Sequence, residues 1–282
     1  MLMSEVTLSS DFVITVADIL GEANKRFILP RFASLARQDI SQKSSATDFV
    51  TIADIEAETY ILERLRALTP SAQFLAEEQS SGKELVSELP SGLVWTVDPL
   101  DGTRNFVHEK SDFCSMLSLI SEGMTVAAWI YRSLDKECLI ATLDDGLGWV
   151  RDASITWFPA PAPVAGDFLS LRGTVNAMGL AEPLRAQARQ KLKSHPGRYH
   201  IGSAGCDAVA AVSGQSQFVM HSKLTPWDST PAAMMCRTAG FTVALAPDKS
   251  SFTPLSTGAL LMTQNEGLWD ECADFVFASR TG

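Results

Sequence analysis

Histidine is scarce in this chain, and cysteine never occurs in the spacing of a common metal-binding motif. The 282 residues include four histidines, none of them in an H-x-x-x-H pair, so a zinc hydrolase has little support. The five cysteines are scattered, odd in number and without a C-x-x-C pair. This pattern favours reduced thiols over a framework of disulfides.

Basic clusters and long apolar runs are also missing. The net charge is -10 and the sequence contains no run of Lys and Arg, which argues against a nucleic-acid partner. No segment approaches the roughly 18 apolar residues of a membrane span, and the first residues lack the basic and apolar parts of a signal peptide. We therefore expect a cytoplasmic protein that binds neither nucleic acid nor a membrane.

The apolar pattern predicts a protein with mixed secondary structure in two halves. With 46% hydrophobic residues, the chain can bury a full core. Helical periodicity covers residues 11–27 and 53–68, and short strands follow, up to about residue 142. The segment "WFPAPAPVAG" then breaks the pattern and, if it is not an insertion within one domain, separates an α+β half (1–155) from an α/β half (156–282). The last strand predicted before this segment is Glu137–Thr142, and after it we expect a strand over "FLSLRGTV" and a helix near residues 205–212.

Two aspartates stand close together in the stretch "WTVDPLDGTRNF". Asp98 and Asp101 follow an apolar strand pattern, where Pro99 and Gly102 indicate a turn. Two carboxylates about 5 Å apart repel each other by roughly 3 kcal/mol at an effective dielectric constant of about 20. Such a pair needs a proton, a base or a metal ion nearby.

Other acids stand at predicted element boundaries and could join this pair: Asp54, Glu77 and Asp228. Taken singly, each has an ordinary explanation as a turn, a solvated face or a helix cap. Their joint occurrence instead favours a site for Mg2+ or Mn2+, which prefer oxygen ligands. "GTRNF" can begin a helix whose free N–H groups face a phosphate beside these ions.

At this point the sequence resembles the inositol monophosphatase family over nearly its whole length. The landmarks are Lys43, "DFVTIAD", "EE", "WTVDPLDGTRNF", "GSAG" and "PWDSTPAAMMCRTAG", in that order. The resemblance implies a layered α-β-α-β-α sandwich of the inositol monophosphatase and fructose-1,6-bisphosphatase type, and a homodimer. It also implies a Mg2+-dependent, lithium-sensitive phosphomonoesterase that acts on a small phosphorylated metabolite with two or three ions and an activated water.

The resemblance also assigns roles to individual residues. It gives the metal ions five ligands: Glu77, Asp98, the carbonyl of Leu100, Asp101 and Asp228. Asp54, Glu77 and Thr103 would be catalytic, with Asp54 and Thr103 orienting the water and helping to deprotonate it. Gly102 and Thr103 would hold the phosphate, and Gly202, Ser203, Ala204 and His221 would line the alcohol side of the substrate.

His221 departs from the family pattern. Inositol-cleaving relatives carry an acid at this position, seven residues before the aspartate of "WD", so we expect a weaker preference for inositol here. A sugar or polyol phosphate, histidinol phosphate, 3'-phosphoadenosine compounds and fructose 1,6-bisphosphate all stay open as substrates. A non-catalytic binding module is the alternative of a different class, although folding alone gives no reason to keep mutually repelling acids together.

Overall fold

The computed structural model describes residues 8–35, 39–42, 49–84 and 86–278, so Lys43 lies outside the described residues. Its helices are Ser10–Ala23 (α1), Ile52–Leu68 (α2), Glu77–Ser80 (α3), Thr103–Val107 (α4), Leu184–Leu192 (α5), Ala204–Val212 (α6), Pro226–Thr238 (α7) and Glu266–Phe277 (α8). A π-helical segment, Asn24–Ile28, and a short 3-10 turn continue α1. The helix predicted over residues 11–27 is therefore α-helical only as far as Ala23, four residues before its predicted end, and the chain remains helical beyond that point.

The described strands form one short hairpin and two larger sheets. The hairpin pairs Ile40–Gln42 (β1) with Phe49–Thr51 (β2). The first large sheet contains Gln73–Ala76 (β3), Leu93–Asp101 (β4), Cys114–Ser121 (β5), Met124–Arg132 (β6), Glu137–Thr142 (β7), Gly146–Arg151 (β8) and Ser154–Phe158 (β9) in that order. The second contains Gly173–Val175 (β10), Arg198–Tyr199 (β11), Phe218–His221 (β12), Thr242–Ala246 (β13) and Ala259–Thr263 (β14), in the order β11-β10-β12-β14-β13.

Three apolar clusters define a layered α-β-α-β-α sandwich. The first packs α1 and α2 on the outer face of the seven-stranded sheet, around Leu20, Leu62 and Trp129. The second fills the middle layer, where α6 and α7 lie between the two sheets. The third packs α5 and α8 on the outer face of the five-stranded sheet, around Leu192, Phe218 and Trp269. The fold class predicted from the sequence is confirmed, because each sheet buries both of its faces against helices.

The predicted boundary between residues 155 and 156 falls inside β9, so the first sheet extends three residues past it. The proline-rich segment that follows carries no regular structure until β10 begins at Gly173. The division into two domains itself stays a prediction. No helix within the described residues is both long enough and apolar enough to span a membrane.

Candidate metal and phosphate site

Three aspartates, of which Asp98 is fully buried and Asp228 partly exposed, converge at the junction of the two sheets. Asp98 and Asp101 lie at the end of β4, and Asp228 lies in the first turn of α7. One carboxylate oxygen from each lies within 4.8 Å of the others. A register shift between Asp98 and Asp101 breaks the ladder with β5 here, and such an irregularity can turn both side chains to one side.

Burial and like charge act together on these carboxyl groups. Burial raises the pKa of Asp98 well above its ordinary range, and the negative charges of Glu77, Asp101 and Asp228 raise it further. Burial and its acidic neighbours also raise the pKa of Asp228, to about 7. A set of crowded oxygen ligands that resists ionisation on its own is well suited to a hard divalent cation, which would neutralise it.

Asp101 is held in place by the start of α6. Its Oδ2 accepts hydrogen bonds from Ser203 Oγ at 2.5 Å and from the Gly205 amide at 2.7 Å. A Cβ at Gly205 would lie 2.4 Å from the sulfur of Cys114, so only glycine allows this approach. Burial raises the pKa of Asp101 in spite of these donors. With Oδ2 occupied, Oδ1 is the oxygen available to a cation.

Thr103 connects the end of β4 to Asp54. Its hydroxyl lies 2.9 Å from the carbonyl of Leu100 and 3.2 Å from Asp54 Oδ1. Asp54 is fully buried, and its Oδ2 completes a capping box at the start of α2 by accepting from both the amide and the hydroxyl of Thr51. The helix cap therefore fixes the carboxylate that Thr103 faces.

Gly102 makes the turn between β4 and α4 possible. Its φ is +83°, in the left-handed region, and a Cβ there would lie 2.8 Å from the carbonyl oxygen of Asp112. Both constraints make any residue other than glycine costly at this position. This turn exposes the first backbone amides of α4 beside the aspartates, where the sequence predicted a phosphate.

One cavity of about 810 Å³ joins most of the predicted site residues. Those that line it are Glu77, Asp98, Leu100, Asp101, Gly102, Thr103, Gly202 and Asp228. Asp54 lies behind Thr103, and Ser203 is buried against Asp101, so neither is part of the lining that the structure shows. Ala204 is also absent from this lining, and it begins α6.

His221 is placed differently from the predicted substrate contact. The side chain is buried, does not line the cavity, and its Nε2 lies 3.1 Å from Asp207 Oδ2. Burial alone would lower the pKa of His221, but the hydrogen bond to Asp207 and the charges of Asp207, Asp228 and Asp101 outweigh it and raise that pKa. The carboxylate of Asp207, in the first turn of α6, attracts the imidazole away from the cavity.

Glu58 is a buried acid that reasoning from the sequence missed. It lies one turn after Asp54 on α2, and its two oxygens accept from the amides of Glu78 at 2.7 Å and Gln79 at 2.9 Å. Burial raises the pKa of Glu58 to about 7 against the effect of these donors. The contact fixes the start of α3, where Glu77 is the first residue. The i, i+4 spacing of the two acids was the available signal.

We expect Glu58→Gln to weaken metal binding through Glu77. The amide side chain keeps one acceptor but turns an N–H2 toward a second backbone N–H, so one hydrogen bond at the start of α3 is lost. The Kd for Mg2+, measured by calorimetry, should rise about three- to ten-fold, equivalent to about 1 kcal/mol. Glu63→Gln, on the exposed side of the same helix, is the control and should leave the Kd unchanged. If both variants bind Mg2+ with the same Kd, Glu58 does not support metal binding.

Comparisons with known proteins agree with this geometry. The profile of the Inositol monophosphatase family matches residues 11–274. An inositol-1-monophosphatase of Bacillus subtilis is 26% identical over 226 residues, which cover 79% of this chain and 81% of the relative. A fructose-1,6-bisphosphatase/inositol-1-monophosphatase of Thermotoga maritima is 25% identical over 203 residues, which cover 72% of this chain and 73% of the relative. The structure of staphylococcal IMPase-I with products aligns at a TM-score of 0.79 and 19% identity over 97% of each chain.

Proposed function

This chain belongs to the inositol monophosphatase family of phosphoric monoester hydrolases, and we propose that it hydrolyses a small metabolite phosphate with the help of Mg2+. The observation that carries the proposal is the convergence of Asp98, Asp101 and Asp228 beside the turn at Gly102, in the wall of one cavity. Mn2+ is the alternative ion, because it accepts the same oxygen ligands. Lithium sensitivity and a homodimeric assembly belong to the same proposal and rest on the family resemblance. A cytoplasmic location is proposed as well, and it rests on the composition of the chain.

The chemistry of the donors fits two or three divalent ions. Glu77, Asp98 and the Leu100 carbonyl would hold the first ion, while Asp98, Asp101 and Asp228 would hold the second, and a third would lean on Glu77. When bound, such ions neutralise the phosphate ester and lower the pKa of a water molecule. The acids otherwise repel a phosphate dianion, so substrate binding should depend on the metal.

The chain's own residues would handle the proton and the phosphate. The Thr103 hydroxyl carries one proton and faces two acceptors, the Leu100 carbonyl and Asp54 Oδ1. When that proton points to Asp54, Thr103 Oγ1 can accept a hydrogen bond from the attacking water and orient it. Asp54 is then the group that receives the proton as the water attacks. The amides of Gly102 and Thr103 would hold the phosphate during this step.

Residues on the second half would define the alcohol side. We propose that Gly202, which lines the cavity, lies against the leaving group, and that Ser203 and Ala204 support it from the start of α6. His221 would not contact the substrate, because it is buried against Asp207 and neither residue lines the cavity. The substrate class extends from inositol phosphate to sugar and polyol phosphates. The Thermotoga relative is named a fructose-1,6-bisphosphatase as well as an inositol-1-monophosphatase.

A panel of phosphate esters tests the proposal. Inositol 1-phosphate, fructose 1,6-bisphosphate, histidinol phosphate, adenosine 3',5'-bisphosphate and a simple polyol phosphate are incubated with the protein, in excess Mg2+ or in chelator. We expect phosphate release from at least one ester, in Mg2+ only. Release that is equally fast in chelator, or no release from any ester, would contradict the proposal and favour a binding module.

The buried pair of His221 and Asp207 should matter for stability. His221→Leu leaves Asp207 as a buried charge without its partner, and breaking such a pair costs about 3–5 kcal/mol. Urea unfolding at pH 7 should show a loss of this size. Adding Asp207→Asn should recover part of it, because the uncompensated charge is then removed. If the single variant His221→Leu is as stable as the wild type, the contact between His221 and Asp207 does not contribute to the free energy of unfolding.

The same variant decides whether His221 contacts the substrate. We expect the ratio of kcat/KM for inositol 1-phosphate over a second ester to stay within about two-fold of the wild type, since this ratio cancels losses of active protein. A large change in the ratio would restore the direct contact that the sequence predicted.

A further inference from the structure

The cavity that contains the acidic site is also lined by several basic side chains. Five basic side chains contribute to the lining and form what we call the basic wall: Arg104, Arg189, Lys193, Arg198 and Lys223. The chain as a whole carries a net charge of -10, so five cations around one cavity run against the general composition. The proposed metal ligands occupy the acidic part, and the basic part has no role in holding metal ions.

Part of the cavity wall lies at one edge of the second sheet. Strands β11, β10 and β12 run parallel, and the chain segments that follow them contribute Asn176, His200 and Lys223 to the cavity. Carboxyl ends of neighbouring parallel strands are the usual place for ligands in α/β sheets. This edge therefore contributes Arg198, from β11, and Lys223 to the basic wall.

Helix α5 adds two cations with fixed spacing. Arg189 and Lys193 are four residues apart, at the C-terminal end of α5, and so lie on one face of the helix. Arg189, Lys193 and Arg198 are exposed, and within the described residues no carboxylate lies close enough to form an ion pair with any of them. By contrast, Arg185 on the same helix is paired with Glu182 at 2.9 Å.

If the substrate carried a single phosphate, held by the metal ions, Arg189, Lys193 and Arg198 would have no anionic partner. Arginine and lysine are the residues that bind phosphate oxygens most effectively, Arg through its planar fork and Lys as a point charge. Apolar side chains in the same lining, among them Phe49, Met178 and Leu192, could contact the carbon skeleton between two anionic ends.

We propose that the basic wall is a subsite for a second phosphate group, so that the preferred substrate is a bisphosphorylated sugar or nucleoside. This inference rests on the proposed function and makes it narrower: the metal site takes the phosphate that is removed, and Arg189, Lys193 and Arg198 take the phosphate that stays.

Two matched substrate pairs test the subsite. Fructose 1,6-bisphosphate is compared with fructose 1-phosphate, and adenosine 3',5'-bisphosphate with adenosine 3'-phosphate, so that each pair differs only in the second phosphate. We expect kcat/KM to favour the bisphosphate at least ten-fold in one pair, mainly through KM. The preference should fall as ionic strength rises, because the cations are exposed.

Helix α5 also provides matched protein variants. The double variant Arg189→Gln, Lys193→Gln removes two cations from the cavity, and Arg185→Gln, Lys191→Gln removes the same two residue types from other positions on the same helix. The first should reduce the preference for the bisphosphate at least ten-fold, and the second should leave it unchanged. General steering by positive charge would instead reduce the preference to a similar extent in both double variants, because each removes two positive charges from the same helix and the bisphosphate carries more negative charge than the monophosphate.

The outcomes separate the subsite from the proposed function. Hydrolysis of monophosphates with no preference for either bisphosphate, or a preference that survives loss of Arg189 and Lys193, would overturn the subsite alone. If no ester is hydrolysed, the proposed function fails. In that case, calorimetric titration of the wild type and of Arg189→Gln, Lys193→Gln with the two unreacted bisphosphates in Mg2+ decides whether the subsite exists. The subsite requires that at least one bisphosphate binds the variant ten-fold or more weakly than it binds the wild type.

Discussion

Asp98→Asn should lower kcat by at least a thousand-fold in saturating Mg2+, equivalent to about 4 kcal/mol of the barrier. The Asp98 side chain is buried beside Asp101 and Asp228, and the proposal gives it to both principal ions, so the substitution removes negative charge from two positions at once. The Leu100 amide donates to Asp98 Oδ1 at 2.9 Å, and an asparagine oxygen can accept the same bond. The fold should therefore survive, with near-normal circular dichroism.

The matched control for this substitution is Asp112→Asn. Asp112 is exposed, stands in the loop before β5 and is not part of the cavity lining, so the same change of charge should leave kcat unaffected. Steady-state assays of both variants across a Mg2+ titration separate weaker metal binding from lost chemistry. Near-normal kcat of Asp98→Asn at saturating Mg2+ would remove Asp98 from the metal site.

Stability without metal should fall as the pH rises from about 4 to 7. Burial raises the pKa of Asp228 and of Glu58 to about 7, and it also raises the pKa of Asp98 and Asp101. A carboxyl group with a raised pKa holds more protons in the folded state than in the unfolded state across this window, so the free energy of unfolding decreases with pH. The raised pKa of His221 acts in the same direction.

Mg2+ should reverse this loss, because metal ions bind the deprotonated carboxylates. At a free concentration about 100 times its Kd, a single ion adds about 2.7 kcal/mol, which raises Tm by about 5 °C in a protein of this size. The rise should be larger at pH 7.5 than at pH 5, and Asp98→Asn should lose most of it. Thermal scans in chelator and in Mg2+ measure both effects, and a metal-free Tm that increases from pH 5 to pH 7.5 would contradict the account.

Reasoning from the sequence predicted the layers and singled out the three aspartates that converge in the structure, because both depend on local signals. The strand pattern that ends in Asp98, the turn residues around Asp101 and the cap position of Asp228 are all readable over a few residues. The helix predicted near residues 205–212 and the strand Glu137–Thr142 also agree with the structure to within a residue.

Several elements escaped because their formation depends on distant partners. The strand predicted over "FLSLRGTV" is reduced to β10, since Phe168 instead packs against His195 and Phe218. Strands β8, β9 and β14 and helix α8 were not identified. β14 lies between β12 and β13 in the sheet, an order that no local pattern contains.

Side-chain orientation was the other limit. The position of His221 in the sequence indicated a substrate contact, but Asp207, which sequence reasoning did not single out, gives the imidazole a buried partner. Ser203 likewise bonds to Asp101. The basic wall was missed because its members are spread from Arg104 to Lys223 and meet only after the second sheet has folded.

Metal binding by the three aspartates is the central claim, and anomalous diffraction from a crystal soaked in Mn2+ tests it most directly. We expect an anomalous peak among Asp98, Asp101 and Asp228, at about 2.0–2.3 Å from one oxygen of each, and its loss in Asp98→Asn. Ordered density for the three side chains without a peak among them, in a protein whose phosphate release still requires the metal, would contradict the account.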